Sequence, residues 1–176
     1  MQEGQRAMRR TIGYFEYRGL LDAFVGLVQH ALGERLVSLV LYGSVARGTA
    51  RLESDVDLLL VIREAPAGYR KRLQPLLPIL RELRKYPCWA ALEGQGLTPF
   101  LSVLVLSLEE AKENHYLYLD MVEDARILVD RDSFFQGKLQ SLQQRLKELG
   151  AKKIRRNGDW YWDLKPDLKL GDEVIL

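Results

Sequence analysis

The sequence contains few of the residues from which disulfide frameworks, zinc sites and histidine-based active sites are built. Its 176 residues include one cysteine, Cys88, and two histidines, His30 and His115. A single cysteine excludes an intrachain disulfide and a zinc site built from several cysteines. With two histidines and no Gly-x-Ser-x-Gly motif, a hydrolytic triad has little support. We therefore expect both histidines to be structural or exposed, and we assign no function to Cys88.

Long apolar runs and a strong net charge are absent too. The longest apolar stretches, residues 36–46 and 99–108, are shorter than the roughly 18 to 20 residues of a membrane span. The N-terminal segment has no apolar core that would make it a secretory signal. The charge sum, 26 Lys and Arg against 24 Asp and Glu, is +2, so bulk electrostatics do not indicate nucleic-acid binding. We expect a cytoplasmic protein without a membrane partner.

Apolar spacing and helix-start signals predict four helical regions. Residues 13–32 carry apolar side chains three and four positions apart, and Gly33 follows them. Residues 69–86 form a basic, amphipathic segment that Pro75 and Pro78 must break or kink. Its basic side chains could face RNA or an acidic partner, but a solvated helix face is the preferred interpretation.

Two capping boxes mark the other helix starts. In a capping box, a serine and a Glu or Gln three positions later bind each other's backbone amides. The two pairs are Ser107 with Glu110 and Ser133 with Gln136. After the second box a leucine-rich stripe runs to Gly150, and we expect it to pack within the chain rather than against a partner helix.

Short apolar segments predict the strands, which cover residues 36–42, 56–62, 100–106 and 126–129. Near the C-terminus, the dipeptide Asn157-Gly158 predicts the turn of a β-hairpin. Basic residues precede this turn, and Trp160, Tyr161 and Trp162 follow it. Charge with stacking rings can bind single-stranded nucleic acid, but we expect the hairpin to pack against the rest of the chain.

Together these elements predict an α+β fold with a mixed central β-sheet flanked by helices, followed by a C-terminal helix and the hairpin. We expect residues 1–150 to form the main domain and residues 151–176 to pack on it as an appendage. The second strand begins with two aspartates, Asp55 and Asp57. We expect the helices to pack on the other side of the sheet from them.

These two aspartates are the candidate metal ligands. Successive side chains of a strand alternate between faces, so Asp55 and Asp57 point to the same side. Two neighbouring carboxylates repel each other unless a cation lies between them. Carboxylate oxygens suit Mg²⁺ or Mn²⁺, which bind proteins through one or two carboxylates together with substrate phosphates.

The phosphate ligands are predicted just upstream, where the first strand ends. Gly43 allows a bulky anion to approach the backbone, and the Ser44 hydroxyl with neighbouring amides can hold phosphate oxygens where a helix begins. Arg47 adds positive charge. The sequence has neither the Gly-Lys-Ser/Thr of a P-loop nor the dinucleotide-binding fingerprint. A phosphate cradle beside paired carboxylates indicates metal-assisted displacement at a nucleotide phosphate.

This segment resembles the signature of the DNA polymerase β-like nucleotidyltransferase superfamily. It consists of Gly43-Ser44, then ten residues, then Asp55-Val56-Asp57. The short chain is similar in size to its minimal nucleotidyltransferases (MNT), which are often paired with HEPN proteins. The resemblance implies Mg²⁺-dependent transfer of a nucleoside monophosphate, AMP from ATP, to an acceptor hydroxyl, with Asp55 and Asp57 as catalytic metal ligands. It further implies an antitoxin-like role in which the hydroxyl, such as a tyrosine, belongs to a HEPN partner.

The superfamily pattern also has a third carboxylate on a later strand, and here the sequence departs from it. The expected strand contains no acid, and Ser102 lies where the carboxylate is expected. Glu93, Glu109 and Asp120 are near enough in sequence to substitute, and their spacing selects none of them. This absence leaves a second hypothesis open, a binding module that regulates its partner by contact. A small-molecule acceptor such as an aminoglycoside, or an RNA 3′ end, also stays open.

Overall fold

The computed structural model describes residues 11–156, 159–169, 174 and 176. In these residues eight α-helices and six β-strands follow one another. The helices are α1 (Tyr14–Leu32), α2 (Gly43–Arg47), α3 (Tyr69–Leu73), α4 (Leu76–Leu83), α5 (Pro87–Gly94), α6 (Leu108–Lys112), α7 (Tyr116–Asp124) and α8 (Phe134–Glu148). The strands are β1 (Leu36–Tyr42), β2 (Val56–Ile62), β3 (Leu101–Ser107), β4 (Arg126–Asp130), β5 (Lys152–Arg156) and β6 (Asp159–Asp163).

The first four strands form one sheet in the order β3-β2-β1-β4. Strand β1 runs antiparallel to β2 and to β4, whereas β2 and β3 are parallel. The sheet is therefore mixed and helices flank it, so the predicted α+β class is confirmed. The strands that the sequence predicted by their apolar runs are all present, with bounds that differ by at most one residue at either end.

Helices cover both faces of the sheet, so the expectation that they pack on one side only is wrong. Leu58 and Leu60 of β2 pack with residues of α1, α4 and α5, and Leu59 and Val61 pack on the opposite face with residues of α7 and α8. All four side chains are at most 1% exposed. A strand that is apolar on both faces needs a covering layer on each.

The basic segment over residues 69–86 forms two helices rather than one. Helix α3 ends at Leu73, and Pro75 immediately precedes α4. Pro78 is tolerated inside α4 because it lies in the first turn, where backbone amides have no partner within the helix. The sequence analysis missed α5, which begins with Pro87 at its first position, a position that suits proline.

The capping box of Ser107 and Glu110 is confirmed. The Glu110 backbone amide donates to the Ser107 hydroxyl at 3.1 Å, and the Ser107 amide donates to the Glu110 carboxylate at 2.9 Å. Arg72 adds a bidentate contact to the same carboxylate, at 2.6 and 2.9 Å. The Arg72 hydrogen bond, together with the bonds from Ser107, lowers the pKa of Glu110 to about 2. The box thus ties α3 to the end of β3.

The second predicted capping box, Ser133 with Gln136, is wrong. Ser133 has a left-handed backbone conformation with φ +53°, and its side chain makes no capping hydrogen bond. The carboxylate of Asp130 caps the helix instead, accepting from the amides of Phe135 at 3.0 Å and Gln136 at 2.9 Å. The fully buried Ser38 hydroxyl donates to the same carboxylate at 2.7 Å. One side chain therefore joins β1, β4 and α8.

Strands β5 and β6 pair as an antiparallel hairpin, in which Lys153 lies opposite Trp162 and Arg156 opposite Asp159. The predicted turn residues, Asn157 and Gly158, lie outside the described residues. Trp162 packs with the apolar residues of α7 and α8. The ammonium of Lys153 lies 4.2 Å from the ring centroid of Trp160 and pairs with Glu123 of α7. No helix of the described chain is long and apolar enough to cross a membrane.

Replacing the capping carboxylate should destabilise the fold far more than replacing the serine of the predicted box. Asp130→Ala removes the helix cap and leaves the buried Ser38 hydroxyl without a partner, so we expect a loss of about 2–3 kcal/mol. Ser133→Ala removes no capping bond and should change stability by less than about 1 kcal/mol. Urea denaturation of both variants measures the difference. Equal losses would contradict this account of the cap.

Candidate active site

The predicted site residues meet at one end of the sheet. Strand β1 ends at Tyr42, and α2 begins at the next residue, Gly43. The register of the antiparallel pair places Tyr42 opposite Asp57 of β2. The glycine-serine turn and the aspartate strand, which ten residues separate in sequence, therefore become neighbours. Asp55 lies just before β2, at the same end.

Gly43 and Asp57 are in such close contact that only glycine fits. A Cβ atom on Gly43 would lie 2.2 Å from Oδ2 of Asp57 and 3.1 Å from its Cγ. The backbone of Gly43 also has φ +73°, which side chains disfavour. The carboxylate thus occupies the space that a side chain at Gly43 would need.

The two aspartates create a region of negative potential. Burial raises the pKa of Asp57, the charge of Asp55 raises it further, and Arg47 lowers it. Burial and the charge of Asp57 raise the pKa of Tyr42 to about 12. Burial also raises the pKa of Tyr17, and the charge of Asp55 contributes to that shift. A cation between the carboxylates would relieve this repulsion.

The two carboxylates suit a divalent ion that takes its remaining ligands from water and from the substrate. Asp55 and Asp57 offer hard carboxylate oxygens, which Mg²⁺ prefers. Within the described ranges, no group of three or more Asp, Glu, His or Cys side chains is placed to hold a metal. Two carboxylates fit Mg²⁺, which completes its coordination with water and phosphate oxygens.

Helix α2 carries the candidate phosphate ligands. It begins with Gly43 and Ser44 and ends with Arg47, with Gly48 as its left-handed C-cap. Burial raises the pKa of Asp57 and that of Asp120 on α7, and the charge of Arg47 partly offsets both rises. The guanidinium therefore lies in the field of both carboxylates, although neither is within ion-pair distance.

Ser102 stands in β3 where the superfamily pattern led us to expect a third carboxylate. The structure makes it the direct neighbour of Asp57 across the parallel pair. Of the three substitute acids, Glu93 accepts a hydrogen bond from its neighbour Trp89 on α5, and Glu109 pairs with Lys112 on α6. Burial raises the pKa of Asp120 on α7, and the charge of Arg47 partly offsets that rise.

Asp120 lies in a groove that the sequence analysis missed. The groove has a volume of about 520 Å³ and lies between α7 and β6. Half of its lining residues are aromatic, namely Tyr116, Trp160, Tyr161 and Trp162, and three of the others are leucines. Burial raises the pKa of Asp120. Hairpin and helix are far apart in sequence, and the only local signal for the groove was their aromatic content.

Comparison with known proteins identifies the family. A model of the family described as "Nucleotidyltransferase domain" matches residues 24–93, which include all five predicted site residues. A Methanocaldococcus jannaschii protein named "Putative protein adenylyltransferase" is 30% identical over 143 residues, which cover 80% of this chain and 90% of the relative. The chain belongs to the nucleotidyltransferase family. It is a nucleotidyltransferase enzyme, and the predicted resemblance is confirmed.

Solved structures with a similar fold come from toxin–antitoxin systems. A toxin–antitoxin crystal structure with AMP-PNP has 16% sequence identity to this chain and a TM-score of 0.45. The match covers 73% of this chain and 90% of the matched chain. A complex of a Shewanella oneidensis HEPN toxin, which is tri-AMPylated, with its MNT antitoxin has 16% identity and a TM-score of 0.41. The coverage there is 74% of this chain and 89% of the matched chain.

A methyl group at Gly43 should disable the site of the nucleotidyltransferase while the fold persists. In Gly43→Ala, the new Cβ must displace the Asp57 carboxylate, so we expect loss of Mg²⁺-dependent nucleotide binding. Gly96→Ala is the matched control, because Gly96 has the same φ of +73° and a Cβ added there would meet nothing within 4 Å. Both variants should lose about 1–2 kcal/mol of stability from the left-handed backbone. Calorimetric titration with ATP separates them, and equal binding would contradict the assigned contact.

Proposed function

We propose that this nucleotidyltransferase is a Mg²⁺-dependent adenylyltransferase that moves AMP from ATP to a hydroxyl group on a protein. One observation carries the proposal, which is the Asp57 carboxylate seated against the backbone of Gly43 with Asp55 beside it. A divalent ion bound by these two carboxylates would lie next to the start of α2. The name of the Methanocaldococcus jannaschii relative supports AMP as the transferred group and a protein as the acceptor.

In this proposal, Asp55 and Asp57 hold the ion, Mg²⁺ or Mn²⁺, and Gly43, Ser44 and Arg47 hold the phosphates of ATP. When bound, the ion supplies charge stabilisation at the α-phosphate and at the departing pyrophosphate. The guanidinium of Arg47 offers a planar fork that suits phosphate. Because Arg47 lies in the field of Asp57, phosphates bound by its guanidinium would be close to the ion.

The reaction forms one bond and breaks one. The acceptor oxygen bonds to the α-phosphorus, and the bond from that phosphorus to the oxygen bridging to the β-phosphate breaks, releasing pyrophosphate. The acceptor hydroxyl must also lose its proton to a base. We assign this role to Asp120, because it lies in the field of Arg47 and because burial raises its pKa toward that of a better proton acceptor.

The groove beside Asp120 is our proposed acceptor site. Its aromatic walls suit an aromatic side chain, and the carboxylate can accept a hydrogen bond from a phenolic hydroxyl. A tyrosine on a HEPN-type partner protein, with an antitoxin-like outcome, is the acceptor that we propose. Residues 151–176 would then act as an appendage of the nucleotidyltransferase domain that closes this groove, and the packing of Trp162 and Leu164 against the main core supports this division.

Label transfer from ATP tests the function. Wild-type protein with Mg²⁺ and α-phosphate-labelled ATP, added to a lysate of the source organism, should label a discrete protein band. The Asp55→Asn, Asp57→Asn double variant should lose both the label and Mg²⁺-dependent ATP binding. Its fold should persist, because the substitutions remove the charge repulsion between the two carboxylates.

Two comparisons make this experiment decisive. ATP labelled on the γ-phosphate should leave the protein band unlabelled, because that phosphate departs with pyrophosphate; a labelled band would indicate phosphorylation instead. Label on RNA or on a small molecule such as an aminoglycoside would redirect the acceptor. Unchanged Mg²⁺-dependent ATP binding in the double variant would overturn the site assignment.

The role of Asp120 has its own prediction. Asp120→Asn cannot take up the acceptor proton, so we expect the transfer rate to fall by about 10²- to 10⁴-fold while ATP binding stays near wild type. Glu109→Gln is the control, since it alters another of the three candidate acids, which lies on α6 and is paired with Lys112. Single-turnover kinetics with saturating ATP measure the rate. Equal rates for both variants would remove Asp120 from the mechanism.

A second candidate function is a binding module that has lost turnover. The observation in its favour is Ser102, a hydroxyl on the strand position beside Asp57, together with the lack of a three-acid group in the described segments. Such a module would bind ATP and Mg²⁺ and contact its partner without labelling it. Intact nucleotide binding with no transfer to any acceptor would favour this function.

A further inference from the structure

Three side chains form a row across the sheet at the candidate active site. Tyr42 of β1 is the direct partner of Asp57 of β2, and Asp57 is the direct partner of Ser102 of β3. Directly paired residues of neighbouring strands carry their side chains on the same face, and the strands are about 4.8 Å apart. A hydroxyl group therefore flanks the Asp57 carboxylate on each side.

The two hydroxyls of this row differ in their surroundings. Tyr42 packs against the apolar cluster to which α7 and α8 contribute, and burial raises its pKa to about 12 together with the charge of Asp57. Ser102 is half-buried, and in the described part of the chain no hydrogen bond involves its hydroxyl. Of the two, Ser102 is therefore the hydroxyl that neither packing nor a competing hydrogen bond holds.

The strand order places Ser102 and the proposed phosphate ligands on opposite sides of Asp57. In the order β3-β2-β1, β2 lies in the middle, and α2 follows directly after β1. The Asp57 carboxylate lies against Gly43, the first residue of α2. Displacement at a phosphate is in line, with the attacking and leaving oxygens on opposite sides of the phosphorus. When pyrophosphate leaves on the α2 side, the attacking hydroxyl must come from the side of β3.

We propose that Ser102 is an internal acceptor, so that the protein transfers AMP from ATP to its own Ser102 hydroxyl. This inference rests on the proposed function, because it uses the same carboxylates, Asp55 and Asp57, and the same phosphate ligands. The serine oxygen bonds to the α-phosphorus, the bond from that phosphorus to the oxygen bridging to the β-phosphate breaks, and pyrophosphate leaves. The hydroxyl proton passes to water, which reaches this half-buried side chain.

The modification limits the enzyme's own activity. An AMP group on Ser102 lies beside Asp57, where the α-phosphate of the next ATP has to bind. Each chain therefore reacts once with itself and is then closed to other acceptors. A hydroxyl of a partner protein competes with Ser102 for the same phosphorus, so a bound partner protects the enzyme from its own reaction.

The test incubates the purified chain alone with Mg²⁺ and ATP labelled on the α-phosphate. We expect label on the protein's own band, approaching one AMP per chain, and peptide mass spectrometry should place the AMP on Ser102. Ser102→Ala should lose the label and still bind ATP with Mg²⁺, because Ser102 is not among the proposed nucleotide ligands. Ser102→Thr retains a hydroxyl and should retain the label. Ser141→Ala, at an exposed position of α8, is the control and should be labelled like wild type.

Dilution separates a reaction within one chain from a reaction between two chains. At saturating ATP, the fraction of labelled chains at a fixed time should not depend on protein concentration. A fraction that falls in proportion to concentration would mean that one chain labels another, and this result would overturn the inference. Label that persists in Ser102→Ala, or that maps to Tyr42, would overturn it as well.

Addition of a lysate of the source organism separates this inference from the proposed function. A labelled partner band with an unlabelled band for the enzyme itself would mean that the function stands and only the inference fails. No label on either band, from a protein that binds ATP and Mg²⁺, would reject both. Label on the enzyme's own band that the Asp55→Asn, Asp57→Asn double variant loses would support the inference and show that the enzyme turns over.

Discussion

The close approach of the Asp57 carboxylate to the backbone of Gly43 is the constraint on which the site depends. It follows from two local facts, the register that pairs Tyr42 with Asp57 and the immediate start of α2 after β1. The contact holds a carboxylate in a half-buried position beside a second carboxylate, where burial and repulsion both raise its pKa. Such an arrangement disfavours the charged form until a cation binds, so the fold must supply the energy that holds it in place.

The sheet supplies that energy by burying the apolar residues of β2. Leu58 and Leu60 face one helical layer and Leu59 and Val61 face the other. A slip by one residue would reverse the face of every side chain and move Asp57 away from Gly43. On the edge of β1 opposite β2, Asp130 of β4 fixes the strand by polar contacts. Its carboxylate accepts a hydrogen bond from Ser38 and caps α8. The repelling carboxylates are therefore held by contacts that lie mostly outside the site.

The clustering of Gly43, Ser44, Arg47, Asp55 and Asp57 was predictable because these residues are close in sequence. They fall within one strand-turn-strand segment, where apolar runs set the strands and Gly43 marks the turn. The helix cap at Asp130 was not predictable, because Ser133 had the better sequence signal and a left-handed backbone at Ser133 moved the cap to another residue. Sequence spacing also could not choose among Glu93, Glu109 and Asp120. Our proposal of Asp120 rests on the packing of α7 near α2, and these two segments are about seventy residues apart in sequence.

The charge of Arg47 acts both on Asp57, a ligand of the proposed metal ion, and on Asp120, which lies in the proposed acceptor groove. Burial raises the pKa of both Asp57 and Asp120, and the charge of Arg47 opposes that rise at each of them. Phosphates held by Arg47 would offset part of its positive charge and so raise the pKa of Asp120. A carboxylate with a higher pKa is a stronger proton acceptor in its ionised form. By linkage, deprotonation of the acceptor and binding of the triphosphate become coupled. In the proposed mechanism Asp120 therefore becomes a better base when ATP is in place, which is the state in which the acceptor hydroxyl must react.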